Sequence, residues 1–421
     1  IFTPKTDEDI NVHVYGLTHV DANIYAHEDL LIDGNVYVSQ NVSVTEELTI
    51  SGNVYADKDL EVVGNTYVDG NVVASQDFTL SGNAYVSGNI VASQDLTLSG
   101  NTYISGNIVA SQDLTMSGNA YVTGNIVASQ DLTLSGNTYI SGNIVASQDL
   151  TMSGNAYVSG NVSVTEELTV SGNVYADKDL EVVGNVFVDG NVVAYQDILV
   201  TGNVYVSTNV SVTEELTVSG NVYADKDLEV VGNVYVDGNV VAYQDLLVTG
   251  NVYAYTNVEI AQELTITGNA YADRDLEVAG NVYVDGNVVA YQDVLVTGNV
   301  YVSTNVSVTK ELTVTGNVYA DKDLEVVGNT YVSGNVEVTK DLIVTGNTHL
   351  EGPNVFITHT MDFLDPTTAI VTDQVSNVQI RLGQMENVAN TVSNPLADHL
   401  IVYDGTEWVN DYPMHTYIKI R

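Results

Sequence analysis

The chain has 421 residues, with 54 acidic side chains against 11 basic ones and a formal net charge of −43. So acidic a balance excludes the basic surface that nucleic-acid binding requires and predicts a hydrated, self-repelling one. The absence of cysteine excludes disulfides and thiolate metal sites, no apolar run is long enough for a membrane-spanning helix, and 44% hydrophobic residues is too many for a disordered acidic tail.

The first eleven residues, IFTPKTDEDIN, form a non-repeating lead with neither a Met nor a signal-like apolar stretch, as expected at the start of a fragment or a processed product. From Val12 to Pro353 the chain divides into 57 hexads without one insertion or deletion, as in LTLSGN, AYVSGN, IVASQD. Apolar residues stand at places one and three. Place two is Thr, Tyr, Val or Glu, and places five and six are mostly Gly-Asn, otherwise Gln-Asp, Lys-Asp or Glu-Glu. The alternation predicts a strand of three or four residues. Gly-Asn predicts a tight bend, with glycine supplying positive φ. Pro is absent from Val12 to Gly352, as a hydrogen-bonded ladder requires. Three hexads make a triangular turn of eighteen residues, and the predicted fold is all-β, a parallel β-helix or β-solenoid.

The order of hexads bears on how many chains are wound together. Hexads of the form Leu-x-Val/Ile/Leu/Met ending in Gly-Asn recur every eighteen residues between Phe78 and Leu168. Elsewhere they step by twelve, as from Leu168 to Leu180 and Leu216 to Leu228. In a single coiled chain a step of twelve moves like hexads onto different faces, whereas three intertwined chains keep like on like. The expectation is therefore a triple-wound homotrimer of roughly 270 Å; a single chain gives about 19 turns and roughly 90 Å.

After a connector, residues 354–364, Asp365-Pro366 reads as a helix start and Asn394-Pro395 as its end. Between them Val371, Val375, Val378, Leu382, Met385, Ala389 and Val392 are spaced 4, 3, 4, 3, 4, 3. That is a heptad seam, predicted to be a trimeric coiled coil that clamps the shaft, or else a lone helix on the last turn. In residues 395–421, Asp404-Gly405 between apolar runs predicts a small β-hairpin containing Trp408, and the ending HTYIKIR reads as a strand cut short.

Hexads such as LTVSGN and VYVDGN, then a heptad stretch, then LIVYDGTEWVN, resemble the fibre and tail-fibre proteins of phages and large DNA viruses. The resemblance implies a trimeric structural shaft at the virion surface, outside the cell. It also implies other virion proteins at one end and a distal region that meets a host glycan or receptor. The alternative is an extracellular cellular filament or surface adhesin built on a single-chain solenoid. Bare terminal turns would mark such a polymer, and the non-repeating ends weigh toward the fibre. The hexads also resemble those of hexapeptide acyltransferases, but Gly falls at a different place and no loop carries a catalytic His.

No catalytic or cofactor site is expected, and no metal site is assigned. The column Asp77, Asp95, Asp113, Asp131 and Asp149 reads as a solvated acidic corner rather than a calcium ladder. The place-two tyrosines read as outer cover rather than as a glycan site. The seven histidines (His13, His19, His27, His349, His359, His399 and His415) lie near the two ends without metal-ligand spacing. An ice-binding face is not expected, because place two mixes residue types.

Overall fold

The computed structural model describes residues 12–351 and 355–357, and strands at 360–364, 369–372, 375–376, 379–383, 400–403, 408–411 and 417–420. They fall into two compact units, residues 1–213 and 214–421. Each is a parallel β-solenoid with one three-residue strand per hexad and three strands per coil, and together the two hold about 19 coils. Among the described residues there is no helix.

In the first unit strands pair in parallel at a spacing of eighteen residues. Thr66 lies beside Ala84, Val72 beside Ile90, and Phe78 beside Leu96. One chain therefore supplies all three faces, and triple winding is not what the ladder shows. The twelve-residue step that suggested it is absorbed because the coils do not need like on like. Val162 stacks on Leu180 and Leu168 on Val186, while outside the core Ser163 meets Glu181 and Thr169 meets Phe187. Only places one and three enter the core, and there Val, Leu and Ile replace one another at almost constant volume.

The core is packed coil by coil. Between residues 84 and 158 one face carries Leu at place one and Leu or Met at place three. A second carries Ile over Ala, and the third Thr or Ala over Ile or Val. A coil with Leu98 carries Thr102 and Ile104; the next has Met116 with the smaller Ala120 and Val122. The cost of this pattern is buried hydroxyls, with Thr66 and Thr102 Oγ1 lacking any partner.

The corners are held by side chains standing in for backbone acceptors. The Asn89 N–H donates to Asn71 Oδ1 at 2.8 Å, and Asn107 repeats this on Asn89 at 2.7 Å. The acidic column does the same work: the Asp113 N–H donates to Asp95 Oδ1 at 3.2 Å and the Glu167 N–H to Asp149 Oδ1 at 2.9 Å. These carboxylates replace asparagine in the ladder, and among the described residues no group of acidic or histidine side chains could hold a metal ion.

The reason for glycine differs from the one the sequence suggested. Among the described glycines, positive φ occurs only at Gly16 and Gly34. At the regular corners the constraint is proximity. A Cβ on Gly124 would lie 2.5 Å from both Asn107 Oδ1 and the Gly106 carbonyl oxygen.

In the second unit the same register runs from Leu216 beside Val234 to Thr330 beside Thr348. Winding then continues beyond residue 353 with longer connections: Val336 pairs with Val355, Leu342 with Met361, Thr348 with Ala369, Val355 with Val375, and Thr360 with Gln379. This corrects the predicted helix over 365–394. Val371, Val375 and Leu382 lie in the strands Ala369–Thr372, Val375–Ser376 and Gln379–Gly383; Val378, Met385, Ala389 and Val392 lie outside the described residues. Strand Tyr417–Ile420 pairs antiparallel with Ala369–Thr372, and Leu400–Tyr403 pairs antiparallel with Trp408–Asp411.

Candidate functional site

The regular coils cover their own edges, so the places to look for a function are the end coils and the outer faces. The first coil of the first unit is built from Val12–Tyr15, Thr18–Val20 and Ile24–Ala26. Among the described residues Thr18–Val20 pairs only with Val36–Val38, and Ile24–Ala26 only with Val42–Val44. Their inward residues Thr18, Val20, Ile24 and Ala26 are half-buried, whereas one coil on Val36 and Val38 are 1% and 2% exposed.

Large apolar side chains concentrate at this coil. Leu17 is 70% exposed and Tyr25 65%, more than any exposed tyrosine or leucine farther along. The edge is held in shape locally: Asn23 Nδ2 donates to the Tyr25 hydroxyl at 2.8 Å, and His19 Nε2 lies 3.0 Å from Asp21 Oδ1. Three short strand edges around a half-open apolar core form a template for another β edge. Places one and three of the hexads at 12–29 match those of the other hexads and carry no signal of this edge.

At the far end of the second unit, Val375–Ser376 and Gln379–Gly383 likewise pair on one side only among the described residues, while the third face is extended by Tyr417–Ile420. Of the heptad residues, Val371, Val375 and Leu382 fall in three separate strands, and the others lie outside the described residues.

On the outer faces the structure sorts place two by type. In the first unit Tyr67 to Tyr175 form one column, Val73 to Val145 a second, and Thr79 to Thr169 a third. The mixed place two of the sequence is thus three pure columns, and the ground for discounting a threonine array was mistaken: six threonines are in register. The aromatic rows were legible as outer cover, but not as stacks. In the second unit Tyr235 and Tyr283 begin shorter stacks. Burial, and then the nearby Glu215 and Glu263 carboxylates respectively, holds each phenol above its usual pKa.

Repeating three-strand coils whose outermost described strands pair on one side only define the class, a parallel β-solenoid. The sequence model of the bactofilins, described as polymer-forming cytoskeletal, matches residues 11–108, 79–170 and 258–355, together more than half of the chain, and the chain belongs to this family. No curated protein and no solved structure matches it. The family is structural rather than enzymatic. It overturns the placement at a virion surface or outside the cell, since its polymers are cytoskeletal. The fibre resemblance rested on hexads that any β-solenoid of this geometry shares, and on a coiled coil that the strands at 369–383 replace. Virion proteins and a host receptor fall away as partners with it.

Proposed function

We propose that the chain is a filament subunit that polymerises end to end, through the open edges of its first coil. The observation that carries this reading is the half-buried core at Thr18, Val20, Ile24 and Ala26, bordered by the exposed Leu17 and Tyr25. Stacking a second copy on this edge would add backbone hydrogen bonds at a net ~0.5–1.5 kcal/mol each and remove the apolar side chains from water. The strand edges at 375–383 supply the second contact that a continuing polymer needs. The net charge of −43 opposes sideways contact between long acidic faces far more than contact at one small end.

The test is sedimentation of the full chain across a range of concentrations beside Ile24→Asp and Leu17→Asp/Tyr25→Asp. The wild type is expected to form large species as concentration rises. Both variants are expected to stay small while keeping the wild-type β circular dichroism and melting temperature. Variants that fold normally and still polymerise like the wild type would overturn the assignment of the contact to this coil.

A further inference from the structure

The longest ordered feature of the outer surface is the column from Tyr67 to Tyr175, seven tyrosines at one per coil. Successive ring centroids are 4.8–5.1 Å apart and the planes agree within 5°. Rings so separated are offset, which leaves part of each electron-rich face uncovered. Tyr85 is 37% and Tyr121 41% exposed. Two places along, the same face carries the short side chains Ser87, Ser105, Thr123, Ser141 and Ser159 between Asp69 and Asp177 at its two ends, all exposed. The result is a straight aromatic ridge with a low polar shelf beside it, running parallel to the coil axis.

Two further observations select an occupant. No Lys or Arg occurs from Asp59 to Asp177, so a cation meets no competing positive charge along this segment. Within a chain of net charge −43, the field over the face is attractive to cations and repulsive to anions. No other stack within either unit exceeds three rings: Tyr235–Tyr253–Tyr271 and Tyr283–Tyr301–Tyr319 are the next longest described. The reason lies in the sequence period. Blocks beginning at Leu216, Leu264 and Leu312 repeat every 48 residues, not a multiple of eighteen, and start on three different faces. A tyrosine column is therefore soon interrupted there, whereas between residues 66 and 175 the eighteen-residue repeat keeps it intact.

We propose that the Tyr67–Tyr175 column is a binding site for an elongated, planar aromatic cation, which lies along the shelf across about four coils at ~4.8 Å per coil. The ligand's flat face packs against the ring ladder, and its charge is held by the exposed ring faces and the acidic field. The site is on a side face, independent of the end coil assigned to polymerisation.

Thioflavin T is a suitable probe, titrated into the full chain by fluorescence, with the dianionic planar dye Congo red as the charge control. Saturable thioflavin T binding that weakens with salt is expected, with Congo red much weaker. Tyr121→Val divides the column into two runs of three, and it fits the scaffold because Val109 and Val127 hold the same place on the next face. It is expected to weaken binding about tenfold or more, whereas Tyr253→Val, in the second unit, changes it less than about twofold. Tyr121→Thr serves if Tyr121→Val fails to fold, since Thr115 and Thr133 hold the same place on the third face. Equal binding by Tyr121→Val and wild type, an equal loss in Tyr253→Val, or Congo red binding as tightly as thioflavin T would each overturn the proposal.

Discussion

Replacing Gly124 with alanine isolates what the corners demand. The backbone there does not have positive φ, so alanine adopts it without conformational strain. The cost comes from the coil beneath. The new methyl would stand 2.5 Å from Asn107 Oδ1 and the Gly106 carbonyl oxygen, about 0.9 Å short of ordinary van der Waals contact. Neither obstacle can rotate away, because Gly106 is backbone and Asn107 Oδ1 already accepts the Asn125 N–H at 2.8 Å. Overpacking of this kind costs about 1–3 kcal/mol, and weakening that hydrogen bond adds about 1 kcal/mol, so the expected loss is about 2–4 kcal/mol. Relief is possible in part: Thr304 occupies the same corner place in the second unit and donates its hydroxyl to Asn287 Oδ1 at 2.9 Å. The lower half of the range is therefore the firmer expectation. Solenoid coils open locally, so the assay is hydrogen exchange of the amides in residues 102–143, read alongside a denaturant midpoint. Gly16→Ala is the converse control, with open space for the methyl but φ of +90°, and about 1 kcal/mol is expected there. A change at Gly124 within 0.5 kcal/mol of zero would refute the steric reading.

Three other outcomes follow from the core and the outer columns. Thr102→Val removes a buried hydroxyl that has no partner and is expected to stabilise the coil by about 1 kcal/mol, read as a higher denaturant midpoint. Because the folded state raises the Tyr235 and Tyr283 phenol pKa values, their contribution to stability is intact below the unfolded phenol's value near 10 and is lost as pH rises through the higher folded values. Glu215→Gln is expected to lower the Tyr235 pKa and so reduce the loss of stability at alkaline pH, followed by phenolate absorbance. Deleting Val91 turns the in/out pattern of its strand over and is expected to create a protease-sensitive site at residues 90–95; unchanged resistance would count against the register.

The hexad frame and the triangular coil were legible because places one and three must be apolar and the corner must be tight, and both show at a period of six. What six-residue averaging hid appears only at eighteen. Tyr103, Val109 and Thr115 are neighbours in sequence but belong to three separate columns. Stacking of unlike hexads, such as Leu168 on Val186, was misread as a sign of three chains because identity was assumed necessary where only size is. The strands at 369–383 were misread as a helix because apolar residues there stand at alternating spacings of three and four. Thr18, Val20, Ile24 and Ala26 follow the same pattern at places one and three as later hexads, so the half-buried end coil could be found only from the ladder itself.

The most direct test of end-to-end polymerisation is fibre diffraction or cryo-electron microscopy of assembled filaments. If coils stack across the junction between copies, the ~4.8 Å repeat of the parallel ladder lies along the filament axis. The same spacing found perpendicular to that axis would mean that the acidic side faces, and not the first coil, join the copies.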